Sequence, residues 1–261
     1  LREHYPCYRD WLSNSYWISE YNDVTSIFTD DANFETRPKT WTYSLENSGR
    51  NLNEELPLLE AEETFTDTQA EKIATTIASR LAQKGHGNLA TEFAAHFAMN
   101  LLLRSLDIPS SDAGRFTALF WRMQRGTSWN PSLRDDGKKA LAELTHYLDP
   151  IVAKRKKQPG EDLISVMIQL APSGEPVTVK DIVVTLLERD HETLHGTLAN
   201  LWFLLLTHPE EQQQAISDRR LMKLAYLETL RHSTPVLSAN RYARHEIERF
   251  GRLIPEGAQL V

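Results

Sequence analysis

Cysteine is nearly absent from this chain: Cys7 is the only one in 261 residues, so no internal disulfide can hold the fold together. A framework of that kind belongs to oxidising compartments, and its absence leads to an expectation of a cytoplasmic protein. Basic charge is also short. Lys and Arg number 29 against 36 Asp and Glu, a formal net charge of -7, and this excludes the basic footprint of a nucleic-acid-binding surface. The one basic run, Lys154-Arg155-Lys156-Lys157, closes an amphipathic segment and is expected to be a solvated helix end that suits the helix dipole. Long apolar runs are missing too. The longest, Trp202-Phe203-Leu204-Leu205-Leu206, falls far short of the roughly 20 residues a bilayer span requires, and Leu1-Arg2-Glu3-His4-Tyr5-Pro6 has no signal-like apolar stretch. No membrane and no nucleic-acid partner are expected.

Hydrophobic residues make up 41% and charged residues 25%, ordinary values for a globular fold with a sizeable core. Cys7–Leu12 and Tyr16–Tyr21 are aromatic-rich and separated by Ser13-Asn14-Ser15, which predicts a hairpin. A short helix follows, capped by Asn22 or Asp23, with Val24, Ile27 and Phe28 on one face. Glu35 to Glu63 shows no clear period and is read as mostly loop. Thr66-Asp67-Thr68-Gln69 reads as a capping box that starts a helix with an Ile73, Ile77, Leu81 stripe, stopped by Gly85-His86-Gly87. Further helices are predicted at Leu89–Leu106, from Ser110 or Ser111 through Phe116, Leu119, Phe120 and Met123, at Asp135–Lys156, and at Asp162–Leu170. A long central helix is predicted over residues 178–207, then short ones from Pro209 and over Leu221–Arg231. After Pro235 the pattern turns to strand through Arg241-Tyr242-Ala243, Glu246-Ile247-Glu248 and Arg252-Leu253-Ile254, and the chain ends at Val261, read as mid-strand. The expected fold is mainly α with a small β region. It is read as a single domain over residues 1–261, with a β-rich part at 1–45, a helical core at 66–232 and a β segment at 233–261.

Two constellations bear on chemistry. Inside the apolar central helix lies Glu188-Arg189-Asp190-His191-Glu192-Thr193-Leu194-His195, and charges in a core helix are costly unless paired or bound. His191, Glu192 and His195 match H-E-x-x-H, a pattern that can hold a metal with the glutamate activating water, although no neighbouring segment offers an obvious third ligand. Glu228-Thr229-Leu230-Arg231 is an i, i+3 carboxylate–guanidinium pair, which on its own is an ordinary surface ion pair.

Taken together, these segments resemble bacterial cytochromes P450. The run Asp190-His191-Glu192-Thr193, Leu198-Ala199-Asn200 and Thr207-His208-Pro209-Glu210-Glu211 is similar to the family's oxygen-binding helix and the short helix after it. The ExxR motif follows as Glu228 and Arg231, then Pro235, Arg241-Tyr242-Ala243 and Ile254-Pro255-Glu256-Gly257 at ungapped family spacing. Near the N-terminus, Tyr16-Trp17-Ile18, Tyr21-Asn22-Asp23-Val24, Phe28 and Ala32-Asn33-Phe34 resemble the first hairpin and helix of the family. The resemblance covers essentially the whole chain and implies a P450-like fold, incomplete at its C-terminus.

It also implies what has been altered. The family holds haem iron through a cysteine thiolate in a region beyond Val261, and Cys7 lies where the family has no ligand. Arg189 and Asp190 replace the small pair that leaves room for dioxygen, while the acid and alcohol positions, Glu192 and Thr193, are kept. The basic haem-propionate positions fall on or near Glu54 and Leu58, in an acidic segment; Arg241 keeps the other propionate position. Glu228 and Arg231 lack the family's third partner, so they are expected either to be exposed or to be completed by another chain. The resulting expectation is a haem-free auxiliary or scaffold protein of natural-product biosynthesis, with no cofactor of its own and a partner that completes the fold or is itself a biosynthetic enzyme. The alternatives are the N-terminal two-thirds of a haem b monooxygenase, or a non-haem metal or acid/base enzyme using His191, Glu192 and His195.

Overall fold

The computed structural model describes residues 4–36, 50–53, 55–109, 111–126, 130–170, 174–187 and 191–261. The chain divides into two compact units, residues 1–40 with 236–261, and residues 41–235.

The first unit is built on short strands. β1 (Cys7–Asp10) and β2 (Ser15–Ile18) form the expected antiparallel hairpin, with Cys7 opposite Ile18. Its turn is fixed by Asp10, whose carboxylate accepts from the Leu12 and Ser13 amides, and by Asn14 in the left-handed region at φ 53°. β3 (Phe34–Glu35), β4 (Arg241–Ala243) and β7 (Gln259–Leu260) complete a sheet in the order β1-β2-β7-β4-β3; β7 runs parallel to β2 and antiparallel to β4. β5 (Ile247–Arg249) and β6 (Arg252–Ile254) pair separately through Phe250-Gly251, both at positive φ, the geometry a two-residue hairpin turn needs. Helix α1 (Tyr21–Phe28) covers the core of this unit with Ile27, while Phe28 is partly exposed. Its N-cap is Glu20 rather than Asn22 or Asp23, which lie within the first turn.

The second unit is helical throughout. Its first long helix, α2 (Leu56–Lys84), begins ten residues before the predicted Thr66. The supposed capping box is mid-helix, and the Thr68 hydroxyl donates back to the Thr64 and Phe65 carbonyls. The reason is tertiary: Pro57 suits a first turn, and Leu58 is fully buried in the helical core, so one anchor orders an otherwise acidic stretch. Gly85 ends the helix at φ 77°, as the sequence predicts. Asn88 then caps a π-helical segment (Leu89–Ala94) that runs into α3 (Ala95–Ser105).

Helix α4 (Ala113–Arg125) buries Phe116, Leu119, Phe120 and Met123 as expected. Asp112 stands at its N-cap and makes no side-chain cap bond; its carboxylate accepts from the Tyr147 hydroxyl at 2.9 Å instead. Ser110 lies outside the described residues. Helix α5 (Pro131–Lys157) starts four residues earlier than predicted because Asn130 caps it and Pro131 fits its first turn. The basic end of α5 is not wholly solvated either: the Arg155 side chain is 13% exposed, with ion pairs to Asp107 and Asp162, the latter at 2.8 Å. Asp162 also caps α6 (Leu163–Gln169) through the Ser165 amide.

α4 and α5 meet at Gly126 and Gly137, where a Cβ on Gly137 would lie 2.5 Å from the Gly126 Cα. Backbone on both sides leaves no flexible neighbour to give way. Gly137→Ala is therefore expected to destabilise the unit by about 1–3 kcal/mol in a denaturant titration, although alanine raises helix propensity; a neutral result would contradict this packing.

The predicted central helix is described as α7 (Val179–Leu187) and α8 (His191–Thr207), with residues 188–190 outside the described set. α8 is not apolar on all sides of a core, as its composition suggests. Leu201 and Leu205 are buried against α9 (Pro209–Ser217) and α10 (Arg219–His232), but Phe203 and Leu206 are largely exposed. Gly196 allows Pro235 to approach α8, since a Cβ there would sit 2.6 Å from the proline Cβ. Asn200 Nδ2 donates to the Ser233 carbonyl at 2.5 Å and fixes the same crossing.

Candidate functional site

The described parts of the polar octet sit against α4. Gln124, itself buried, donates from its side-chain amide to the Leu187 carbonyl at 3.2 Å, and so holds the end of α7. On the other side, His191 is buried with its ring edge-on to Phe120, centroids 4.3 Å apart, and to Trp121 at 5.5 Å. His195, one turn later, meets Trp121 at 6.4 Å. Glu192 is exposed, and Thr193 is half-buried. Both histidines thus pack into an aromatic cluster. Among the described residues, no group of three or more His, Cys, Asp or Glu side chains is arranged to hold a metal ion. Arg189, Asp190 and Glu188, the residues on which the altered oxygen groove turns, lie outside the described residues.

At the N-terminus of α7 is a polar hub that the sequence reading did not single out. Thr178 and Asp181 cap each other: the Thr178 amide donates to the Asp181 carboxylate at 2.7 Å, and the Asp181 amide donates to the Thr178 hydroxyl at 3.2 Å. The same carboxylate accepts from the Arg50 amide and, at 3.1 Å, from its guanidinium. Thr185 accepts from the Leu52 amide at 3.0 Å, and Asn53 donates to the Thr185 carbonyl at 3.0 Å, so residues 50–53 are pinned along α7 with Leu52 in the core. Burial pushes the Asp181 carboxyl up, but the bonds from Arg50 and Thr178 outweigh it and hold the group down at about 2. T-x-x-D before the apolar run Ile182-Val183-Val184 was a readable cap signal; its distant partner Arg50 was not.

Glu228 and Arg231 are exposed on α10, joined by two hydrogen bonds of 2.6 and 2.7 Å. The guanidinium holds the Glu228 carboxyl below its usual range. Of the two expectations for this pair, exposure is what the structure gives. Arg231→Ala is accordingly expected to leave the thermal unfolding midpoint unchanged, and a loss of several degrees would mark an unrecognised structural role. In the first unit, Cys7 is buried and burial raises its thiol pKa, which disfavours the thiolate form. Arg241 stacks its guanidinium over the Phe28 ring at 4.3 Å and donates to the Asn240 carbonyl at 3.0 Å.

The helical order around α8, the small mixed sheet and the exposed ExxR pair define a P450-like fold. No family model matches the chain. It is 30% identical over 208 residues to a putative cytochrome P450 133B2 of Xylella fastidiosa, covering 75% of this chain and 52% of that protein. It is 24% identical over 257 residues to the pulcherriminic acid synthase of Bacillus subtilis, covering 90% and 63%. Among solved structures, it superposes on P450BioI with a TM-score of 0.82 at 20% identity, covering all of this chain and 73% of that one. On CYP109E1 of Bacillus megaterium the TM-score is 0.78 at 20% identity, with 99% and 72% covered. The chain belongs to the cytochrome P450 superfamily, and spans about half the length of the first curated relatives it matches. No helix among the described residues is long and apolar enough to cross a membrane.

Full-length members of the superfamily carry haem, and the residues here can be tested against it. Haem propionates need cations or polar donors. Leu58, on or near which the resemblance puts one propionate position, is a fully buried leucine in the helical core, surrounded in sequence by Glu55 and Glu60. Glu54, on or near which it puts the other, lies outside the described residues. Neither residue type can pair with a carboxylate, and an acidic segment repels one. In this part of the chain, the residues do not fit the group.

Proposed function

We propose that the protein is a haem-free member of the P450 superfamily that works by binding, as an auxiliary or scaffold to a biosynthetic enzyme, and not as a monooxygenase. The observation that carries the reading is the burial of Leu58: the residue on or near which the family resemblance puts a cation for a haem propionate is here part of the hydrophobic core. The sequence substitution of Arg189 and Asp190 for a small pair supports it, because two charged side chains in an oxygen groove need room and partners of their own. Natural-product biosynthesis is the context we infer, since similar proteins include a pulcherriminic acid synthase of Bacillus subtilis and the cytochrome P450 monooxygenase PikC of Streptomyces venezuelae.

The reading is tested by titrating haemin into the 261-residue chain and following the Soret band. The expected result is no saturation beyond that of an unrelated acidic protein. Saturable binding of one haemin per chain would favour the other reading, the N-terminal part of a haem monooxygenase. That alternative draws its support from the share of the relatives' length that this chain spans.

A further inference from the structure

A trough of about 830 Å³ runs beside the first half of α2 in the helical unit, within the size range of small-molecule sites. Pro57, Ala61 and Phe65 face it from three successive turns of α2, a stripe about 12 Å long at 1.5 Å per residue. Its other wall is made by the end of α3, the end of α5 and the loop before α6. That wall is held by ion pairs: Arg155 binds Asp107 and Asp162, and the Asp162 carboxylate also accepts from the Ser165 amide and hydroxyl. Those charges are spent on the fold. Three others are not: Glu60, Arg104 and Glu161 line the trough, and none has an ion pair or side-chain hydrogen bond among the described residues. The trough thus joins an apolar stripe to unspent charge of both signs. A lone anion would meet two carboxylates, and a lone cation would leave the guanidinium unmet, so the matching ligand is a zwitterion. A single amino acid covers little of the stripe, whereas an extended tripeptide spans about 10 Å of it.

We propose that this trough binds a short peptide with free termini, its ammonium end met by Glu60 and Glu161, its carboxylate by Arg104, and an apolar side chain against Ala61 and Phe65. Calorimetric titration of the 261-residue chain with alanyl-leucyl-alanine tests it, against the N-acetylated and C-amidated forms of the same peptide. The expected result is one free peptide bound per chain, with each blocked form at least about tenfold weaker. Arg104→Gln should lower affinity for the free peptide about tenfold and leave that for the amide unchanged. Glu60→Gln combined with Glu161→Gln should likewise weaken the free peptide and spare the acetylated one. All three positions are exposed, and circular dichroism verifies that the variants fold. No binding by the parent chain, blocked forms that bind as tightly as the free peptide, or an equal loss of free peptide and amide on Arg104→Gln would each overturn the proposal. Tighter binding of maltose, a neutral ligand, would overturn it too.

Discussion

Phe120→Ala is expected to lower the free energy of unfolding by about 3–5 kcal/mol, the loss typical of a fully buried aromatic cut back to alanine. Phe120 is fully buried and is in ring contact with Phe116, Trp121 and His191. Removing it leaves a void that helices on both sides cannot close, because α4 is already pressed against α5 at Gly126 and Gly137. It also strips the aromatic edge that seats His191 at the start of α8. Phe120→Leu keeps most of the volume and should cost less than about 1.5 kcal/mol. Denaturant titration of the two variants checks the pair; a loss below about 1 kcal/mol for the alanine variant would show that the cluster is not a packed core.

Asp181→Ala is expected to cost about 3 kcal/mol, because it removes the carboxylate shared by the Arg50 guanidinium and two backbone amides and leaves the guanidinium charge with carbonyl acceptors such as Pro176. The pH dependence has a definite sign. The folded carboxyl sits at about 2, below its ordinary 3.8, so its ionised form is favoured by folding. That stability is complete above roughly pH 5 and is lost as the pH falls toward 2, amounting to about 2 kcal/mol across the window. Stability measured against pH should therefore fall in acid for the parent chain and less steeply for Asp181→Ala. Parallel curves would mean that the carboxylate is not the hub of the 50–53 attachment.

Local patterns were legible where neighbours in sequence settle the structure. The Phe116, Leu119, Phe120, Met123 stripe, the Ile73 and Ile77 positions, the Gly85 stop and the β1–β2 hairpin follow from period and turn chemistry alone. What escaped was decided at a distance. Leu58 orders the start of α2 by entering a core made of residues far along the chain, so a stretch without periodicity became helix. Arg50 reaches Asp181 across 131 positions, which no window of sequence reveals. Phe203 and Leu206 fail in the other direction, apolar by type yet exposed. For the site, family spacing pointed to Glu228, Arg231 and Arg241 and left exposure of the pair on α10 as one of two expectations, while the setting of Arg241, laid on an aromatic ring beside an apolar hollow, was not legible.

Whether this P450 fold holds haem separates a binding protein from part of a monooxygenase. The most direct measurement is the haem content of the chain as isolated from cells supplied with a haem precursor, read as the pyridine haemochrome against protein concentration. No stoichiometric haem is expected, with Leu58 buried in the hydrophobic core. One haem per chain, retained through purification, would contradict it.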